Sequence, residues 1–319
     1  MRALITGING FVGGHLAEHL LAETDWQVFG TVREAELYLP ALREHIEATH
    51  VDLLDSAAVQ RCIHAIRPDV VFHLAAQAHL PTSFRDPAGT LTSNILMQLH
   101  LFEAIRAAAI DPTIVVVGTG EEYGAVQAHE QPVNETTPLR PVNPYAVSKV
   151  AQDMLAYQYF AAHKLKTIRM RPFNHSGPRQ EDRYAITGFA HQIARIEAGL
   201  QPPVVRVGNL QAQRDFTDVR DIVRGYRLAA ERGEHGEVYN LGSGQPVAIQ
   251  EILERLLSLS TTQIDVQPDP ERMRPADVPV IACDATRFRE RTGWQPQISL
   301  EQMLRDILDD WRGRVASEQ

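Results

Sequence analysis

Lysine is scarce in this 319-residue chain: only three of its 31 basic residues are lysines, at positions 149, 164 and 166. Cysteine is scarcer. Cys62 and Cys283 are too few and too far apart to frame a disulfide fold or a cysteine-rich zinc site, so both are expected as reduced structural thiols. The 13 histidines show no HExxH or similar spacing, and no metal site is expected. His73, inside the apolar run DVVFHLA, reads as a packed side chain. No apolar run reaches about 18 residues, which argues against a membrane-spanning helix. The apolar start carries glycines and passes straight into an amphipathic helix, unlike a signal peptide, so a cytoplasmic location is expected. Positive charge is lacking overall. A net charge of -9 argues against nucleic acid or an anionic membrane as partner. Internal repeats and low-complexity tracts are absent. Apolar residues are plentiful, at 44%, enough for a large core and a second, smaller domain.

Against this arginine-rich background, Lys149 stands four residues after Tyr145 in the run YAVSK. Residues four apart share a helix face. An ammonium about 5 Å from a phenol, at an effective dielectric of ~20, would favour the phenolate by about 3 kcal/mol, bringing Tyr145 into working range as an acid or base. The plain alternative is a buried tyrosine beside a solvated lysine. Eight tyrosines and three lysines in 319 positions seldom fall into this spacing by chance. A compact, shiftable ammonium also suits the task better than a guanidinium fork.

The chain opens with RALIT, a short buried strand, followed by Gly7, Gly10 and Gly13 in TGINGFVG and then the periodic stretch VGGHLAEHLLAE. Strand, glycine turn and helix in this order bind a dinucleotide: the first glycine reverses the chain, the second admits a pyrophosphate, and the third lets helix pack on strand. Phe11 and Val12 lie within the same turn. At the end of the second strand, in WQVFGTVRE, no carboxylate is offered to a ribose. Arg33 stands there instead, and a guanidinium can pair with a 2′-phosphate, so NADP(H) is expected over NAD.

Further along, strands ATHVD, DVVFHLA, TIVVVG and KTIRMRP alternate with helices SAAVQRCIHAI, SNILMQLHLFEAIRAAA and the one carrying Tyr145. Apolar strands alternating with amphipathic helices predict an α/β fold, a doubly wound parallel sheet of Rossmann type. Ligands then sit beyond the carboxyl ends of the strands, where four loops should meet. These are the glycine turn, VDLLD with Asp52 and Leu53, HLAAQAHL with Leu74, Ala75 and Ala76, and VGTGEEYG. After RPFN the alternation breaks: GPRQEDRYAI, RVGNLQAQRDFTD and DPERMRPADVP read as irregular. Residues 1–172 are therefore expected as the nucleotide-binding domain, rejoined by 214–245, and 173–319 as mainly a substrate-binding α/β domain.

Together, TGINGFVGGHL, HLAAQ, GTGEEYG, NPYAVSK, RPFNH and RDFTDVRDIV resemble the extended short-chain dehydrogenase/reductase family over nearly the whole chain. Within it, RPFNH, GNLQAQRDFTDVRD and ERMRPADVP resemble the GDP-sugar branch, the GDP-6-deoxy-4-keto-mannose reductases most and the GDP-mannose 4,6-dehydratases next. The resemblance implies Tyr145 as general acid, Lys149 as the residue lowering its pKa and contacting the nicotinamide ribose, and Thr119 as a second donor to the reacting oxygen. It implies a GDP-sugar substrate with Arg214 and Arg274 on the diphosphate side, Asp277 near the nucleotide or its ribose and Asn174 near the sugar or phosphates. His175 and Arg179 are implied at the cofactor, and a homodimer through two long helices is implied as well.

Reductase and dehydratase share fold, coenzyme and nucleotide. Glu121 matches the position of a dehydratase base, yet the preceding Gly120 offers no second acid, and the stretch after Arg33 lacks the longer serine-rich insertion of the dehydratases. RDFTDVRD matches the reductase version, so reduction of a 4-keto group is favoured, with dehydration the alternative. A non-catalytic NADP-binding sensor is disfavoured because Tyr145 and Lys149 are both kept. Arg33 generates a first prediction: the Michaelis constant for NADPH should lie below that for NADH, and a clear preference for NADH would remove Arg33 from coenzyme selection.

Overall fold

Apolar runs without polar alternation can be strands only where both faces are covered, and the runs of the first half meet that condition in one sheet. The computed structural model describes residues 1–33, 42–272 and 279–318. The first half comprises β1 (Arg2–Thr6), α1 (Phe11–Glu23), β2 (Gln27–Val32), β3 (Ile46–His50), α2 (Ser56–Ile66), β4 (Val70–His73), α3 (Leu80–Arg85), α4 (Pro87–Ala107), β5 (Thr113–Val117), α5 (Pro144–His163) and β6 (Lys166–Pro172). The second half adds β7 (Asn174–Ser176), α6 (Ala185–Glu197), β8 (Val204–Val207), β9 (Gln213–Asp218), α7 (Val219–Arg232), β10 (Val238–Leu241), β11 (Pro246–Ala248), α8 (Ile249–Ser258), β12 (Asp265–Pro268), β13 (Val280–Ile281), α9 (Thr286–Thr292) and α10 (Leu300–Ala316).

Seven strands form the main sheet in the order β10-β6-β5-β4-β1-β2-β3, every neighbouring pair parallel. This is the doubly wound Rossmann arrangement, and the strand order reverses between β1 and β4, where a crevice opens beyond the carboxyl ends. One face is covered by α2, α4 and α5 through Val59, Phe102, Ile105 and Ala156. The other is covered by α1 and α7, with Phe288 and Trp294 from the far end of the chain joining the same core. A separate core lies among α6, α8 and α10, around Ile193, Leu253 and Leu308.

Of the expected returning stretch 214–245, α7 packs against the main sheet and β10 pairs with β6, whereas β9 lies in a smaller sheet with β7, β11 and β13. The run RVGNLQAQRDFTD is more regular than its composition suggests, because it supplies β8 and β9. In β9 the buried positions, Asp215, Thr217 and Asp218, are polar, so a search for continuous apolar runs passes over it.

Asp215 fastens the smaller sheet to the end of β10 in the main sheet. Its fully buried carboxylate accepts from the Ser243 amide at 2.9 Å, the Ser243 hydroxyl at 2.5 Å, the Gly244 amide at 2.7 Å and the Cys283 amide at 3.0 Å. One side chain thus ties β9 to the turn after β10 and to the segment leading into α9. Asp215→Ala would strand three backbone donors, and stability should fall by about 3 kcal/mol or more. Urea denaturation followed by circular dichroism measures this, and a loss below about 1 kcal/mol would show that the contacts are dispensable.

Candidate active site

The crevice is built from the strand ends. Thr6, closing β1, accepts from the amides of Leu74 and Ala75, both at 3.2 Å, and bonds His73 Nδ1 at 2.9 Å, which clamps the end of β4 beside the first turn. Gly7 has φ +74, and a Cβ there would stand 3.1 Å from the Ala75 backbone. A Cβ on Gly13 would collide with the Gly7 carbonyl. Only glycines let turn, helix and neighbouring loop come this close. Gly10 caps α1 without any side-chain acceptor, and no acid stands in the first helical turn. The free amides there, around Phe11 and Val12, suit an anion such as a dinucleotide pyrophosphate.

Arg33 follows directly on β2, and the Val51 amide donates to the Val32 carbonyl at 2.9 Å, setting Asp52 and the buried Leu53 beside it. Leu74, Ala75 and Ala76 complete this rim. His175 also reaches the glycine turn, its ring parallel to Phe11 with centroids 6.3 Å apart. Burial lowers its pKa, so it stays neutral near pH 7. Arg179, implied at the cofactor, is engaged otherwise. Its guanidinium pairs with Glu18 and approaches His15 Nδ1 at 3.0 Å, and its amide donates to Asp310 at 2.9 Å, a brace between α1 and α10.

Across the crevice, Asn143 caps α5 by accepting from the Ala146 amide at 2.7 Å, with Pro144 first in the helix. Tyr145 therefore stands in the opening turn, facing the strand ends. Lys149, one turn on and buried, donates from Nζ to the Val117 carbonyl at 2.8 Å, at the end of β5. Thr119, two residues beyond Val117, stands beside the Tyr145 phenol and acts to lower its pKa, and its hydroxyl accepts from the Glu121 amide at 3.2 Å. The three residues predicted for the chemistry are brought to one place.

Their electrostatics differ from the sequence expectation. Burial, followed by Glu121, Glu122 and Tyr184, raises the Tyr145 pKa well above that of a free phenol. Burial draws Lys149 down to about 8. An acidified phenol presumed surroundings close to water. Here both groups are desolvated, and two carboxyls face the tyrosine. In this arrangement Tyr145 holds its proton until a stronger base forms beside it, which is the property of an acid.

Glu121 is partly exposed and accepts from Asn143 Nδ2 at 3.2 Å, on the tyrosine's side. The position before it is closed: a Cβ on Gly120 would stand 3.1 Å from the Phe173 ring. On the substrate side, β7 and β9 pair Asn174 with Phe216, so Asn174 and Arg214 fall on the same face of the smaller sheet. Arg274 and Asp277 lie outside the described residues.

Sequence reasoning missed three residues here: Asn143, the cap; Tyr184, whose field reaches Tyr145; and Glu122, wholly buried beneath Thr119. Glu122 had a legible signal. Arg169 and Arg171 in the apolar strand KTIRMRP require buried anions, and the doublet after Thr119 supplies one.

A family model described as GDP-mannose 4,6 dehydratase matches residues 4–307. The chain is 37% identical over 318 residues to GDP-6-deoxy-D-mannose reductase of Pseudomonas aeruginosa, covering 99% of each. It is 31% identical over 327 residues to GDP-mannose 4,6 dehydratase 2 of Arabidopsis thaliana, covering 97% of this chain and 86% of that one. Among solved structures, RMD from Pseudomonas aeruginosa complexed with NADPH superposes with a TM-score of 0.87 at 36% identity, over 98% of this chain and 99% of that one. UDP-glucose 4-epimerase of Thermus thermophilus in complex with NAD has a TM-score of 0.87 at 30% identity, over 98% and 99%.

With its proton held, the Tyr145 hydroxyl is suited to act as a proton donor, and the glycine turn is independent of it. Tyr145→Phe should lower turnover by about 100-fold or more while coenzyme binding, read by fluorescence titration, stays nearly unchanged. Near-normal turnover would remove Tyr145 from the chemistry.

Proposed function

The chain belongs to the GDP-mannose 4,6-dehydratase family, and from that premise we propose that it is the NADPH-dependent reductase of GDP-4-keto-6-deoxy-D-mannose, giving GDP-6-deoxy-D-mannose (GDP-rhamnose). The observation that carries this reading is the end-to-end 37% identity to GDP-6-deoxy-D-mannose reductase, against 31% to the Arabidopsis dehydratase. The glycine turn fits a dinucleotide, and bound NADPH would supply the hydride for the 4-keto carbon. Thr119 and Tyr145 offer two hydroxyl donors to the keto oxygen, aimed at the charge that develops there. Tyr145 then gives its proton to the alkoxide, completing an alcohol. Lys149 sets positive charge behind the phenol as it becomes anionic. Glu121, which raises the Tyr145 pKa, helps keep that proton in place beforehand.

Arg214, with Arg274 and Asp277 beyond the described residues, is assigned to the GDP moiety, and Asn174 to the sugar side. Val147, Met154 and Tyr157 leave an exposed apolar stripe on α5, which supports a homodimer through α4 and α5. No helix among the described residues is long and apolar enough to cross a membrane, and both cysteines are free and buried, as suits a reducing cytoplasm.

Dehydration is the second reading, and Glu121 is the observation that favours it, since it stands where a base could reach the carbon next to a ketone. Against it stands the lower identity, 31%, to the Arabidopsis dehydratase. Two assays separate the readings. NADPH should be oxidised when GDP-4-keto-6-deoxy-D-mannose is supplied, and GDP-mannose alone should lose no water. Glu121→Gln should reduce ketone reduction only mildly, and its abolition would reassign Glu121 to the central step.

A further inference from the structure

Beneath Thr119 lies a carboxyl group that the steps above do not use. Glu122 is 0% exposed. Its Oε1 accepts from the Thr119 amide at 2.9 Å, and its Oε2 lies 3.2 Å from Arg171 Nε without a hydrogen-bond partner of its own. Space has been cleared for it: a Cβ on Gly118 would strike Glu122 Oε1, so glycine at the end of β5 is what admits this carboxyl. A buried carboxyl with an uncompensated oxygen is costly, and it persists only where surrounding charge favours it.

We propose that Glu122 is a positioning residue for the reaction, the buried carboxyl that holds Thr119 in place and, as it ionises, keeps the Lys149 ammonium charged. The surrounding groups set its part. From α5, Asp153 faces it and repels it, while Asp153 itself pairs with Arg169 at 2.8 Å and Arg171 at 2.9 Å, both from β6. Asp153 thereby takes up much of the arginine charge. From β4, His73 also faces Lys149, but burial lowers it to about 3 and it stays neutral. The phenol of Tyr123 is occupied with Arg171 at 3.0 Å and Asn240 at 2.6 Å. Tyr145, with Glu121 and Tyr184 around it, carries its proton. Glu122, once ionised, is thus the anion that opposes the desolvation of Lys149. Burial and Asp153 lift Glu122 itself to about 8, so carboxyl and ammonium titrate over the same range as a coupled pair.

The sign follows. A nearby anion raises the pKa of an ammonium and of a phenol, so neutralising Glu122 makes both Lys149 and Tyr145 release protons at lower pH. Glu122→Gln keeps an oxygen for the Thr119 amide and removes only the charge. With three lysines in the chain, ¹³C labelling of lysine gives a spectrum in which Lys149 Cε is assigned by its loss in Lys149→Arg. In the full-length protein without substrate, the Lys149 midpoint should fall by about one pH unit in Glu122→Gln, and an unmoved midpoint overturns the proposal. Should that variant fail to fold, the wild-type curve decides: two inflections are expected, one from each group, and a single inflection overturns the pairing. The kinetic consequence alone rests on the reductase reading. The alkaline limb of ketone reduction should shift downward in Glu122→Gln, and a superimposable profile counts against Glu122. A wild-type protein that oxidises no NADPH would defeat the reductase reading and leave the lysine titration to judge Glu122.

Discussion

Two arginines in the middle of a covered strand are the constraint from which the site is built. Arg169 and Arg171 on β6 are 8% and 3% exposed, and neither can lose its charge. They stand only because Asp153 of α5 reaches both and Glu122 approaches from the end of β5. Removing one partner of such a group leaves a buried charge unanswered, at a cost of about 3–5 kcal/mol. The pairing therefore fixes how α5 lies on β5 and β6. Because Tyr145 and Lys149 are on the same helix as Asp153, about two turns and one turn before it, the phenol and ammonium inherit that placement.

The same burial sets the proton chemistry. In water an ammonium one helical turn from a phenol would acidify it. In this crevice desolvation acts on both groups, pushing the phenol up and the ammonium down, and carboxyls at 121 and 122 reinforce the first effect. An acid that gives up its proton only to a developing alkoxide suits reduction better than a poised phenolate would. The Thr119 hydroxyl is fixed beside the phenol by the short turn that follows it.

Within one family fold, small spaces separate one chemistry from another. Gly7 and Gly13 leave room at the pyrophosphate end of the crevice, and Gly118 leaves room for Glu122. Phe173 works in the opposite sense, filling the place beside Gly120. None of these is a reacting group, yet each decides which reacting groups can be present. Fold alone would not distinguish them, since an epimerase acting on UDP-glucose superposes as well as the NADPH-bound relative does.

By itself the sequence determined the Rossmann sheet and the glycine turn, and it set Tyr145 and Lys149 one helical turn apart, because strand continuity, glycine spacing and a one-turn pair are local properties written in consecutive residues. Short polar strands such as β9 were not legible, since their partners β7, β11 and β13 come from distant stretches of the chain. Arg179, read as a cofactor contact, also bonds Glu18 and Asp310, 161 and 131 residues away, pairings that no local pattern shows. Only the tertiary structure decided which of two adjacent glutamates is buried and which way the tyrosine's pKa moves. Both depend on how much water remains around a group, and that is set by residues far along the chain.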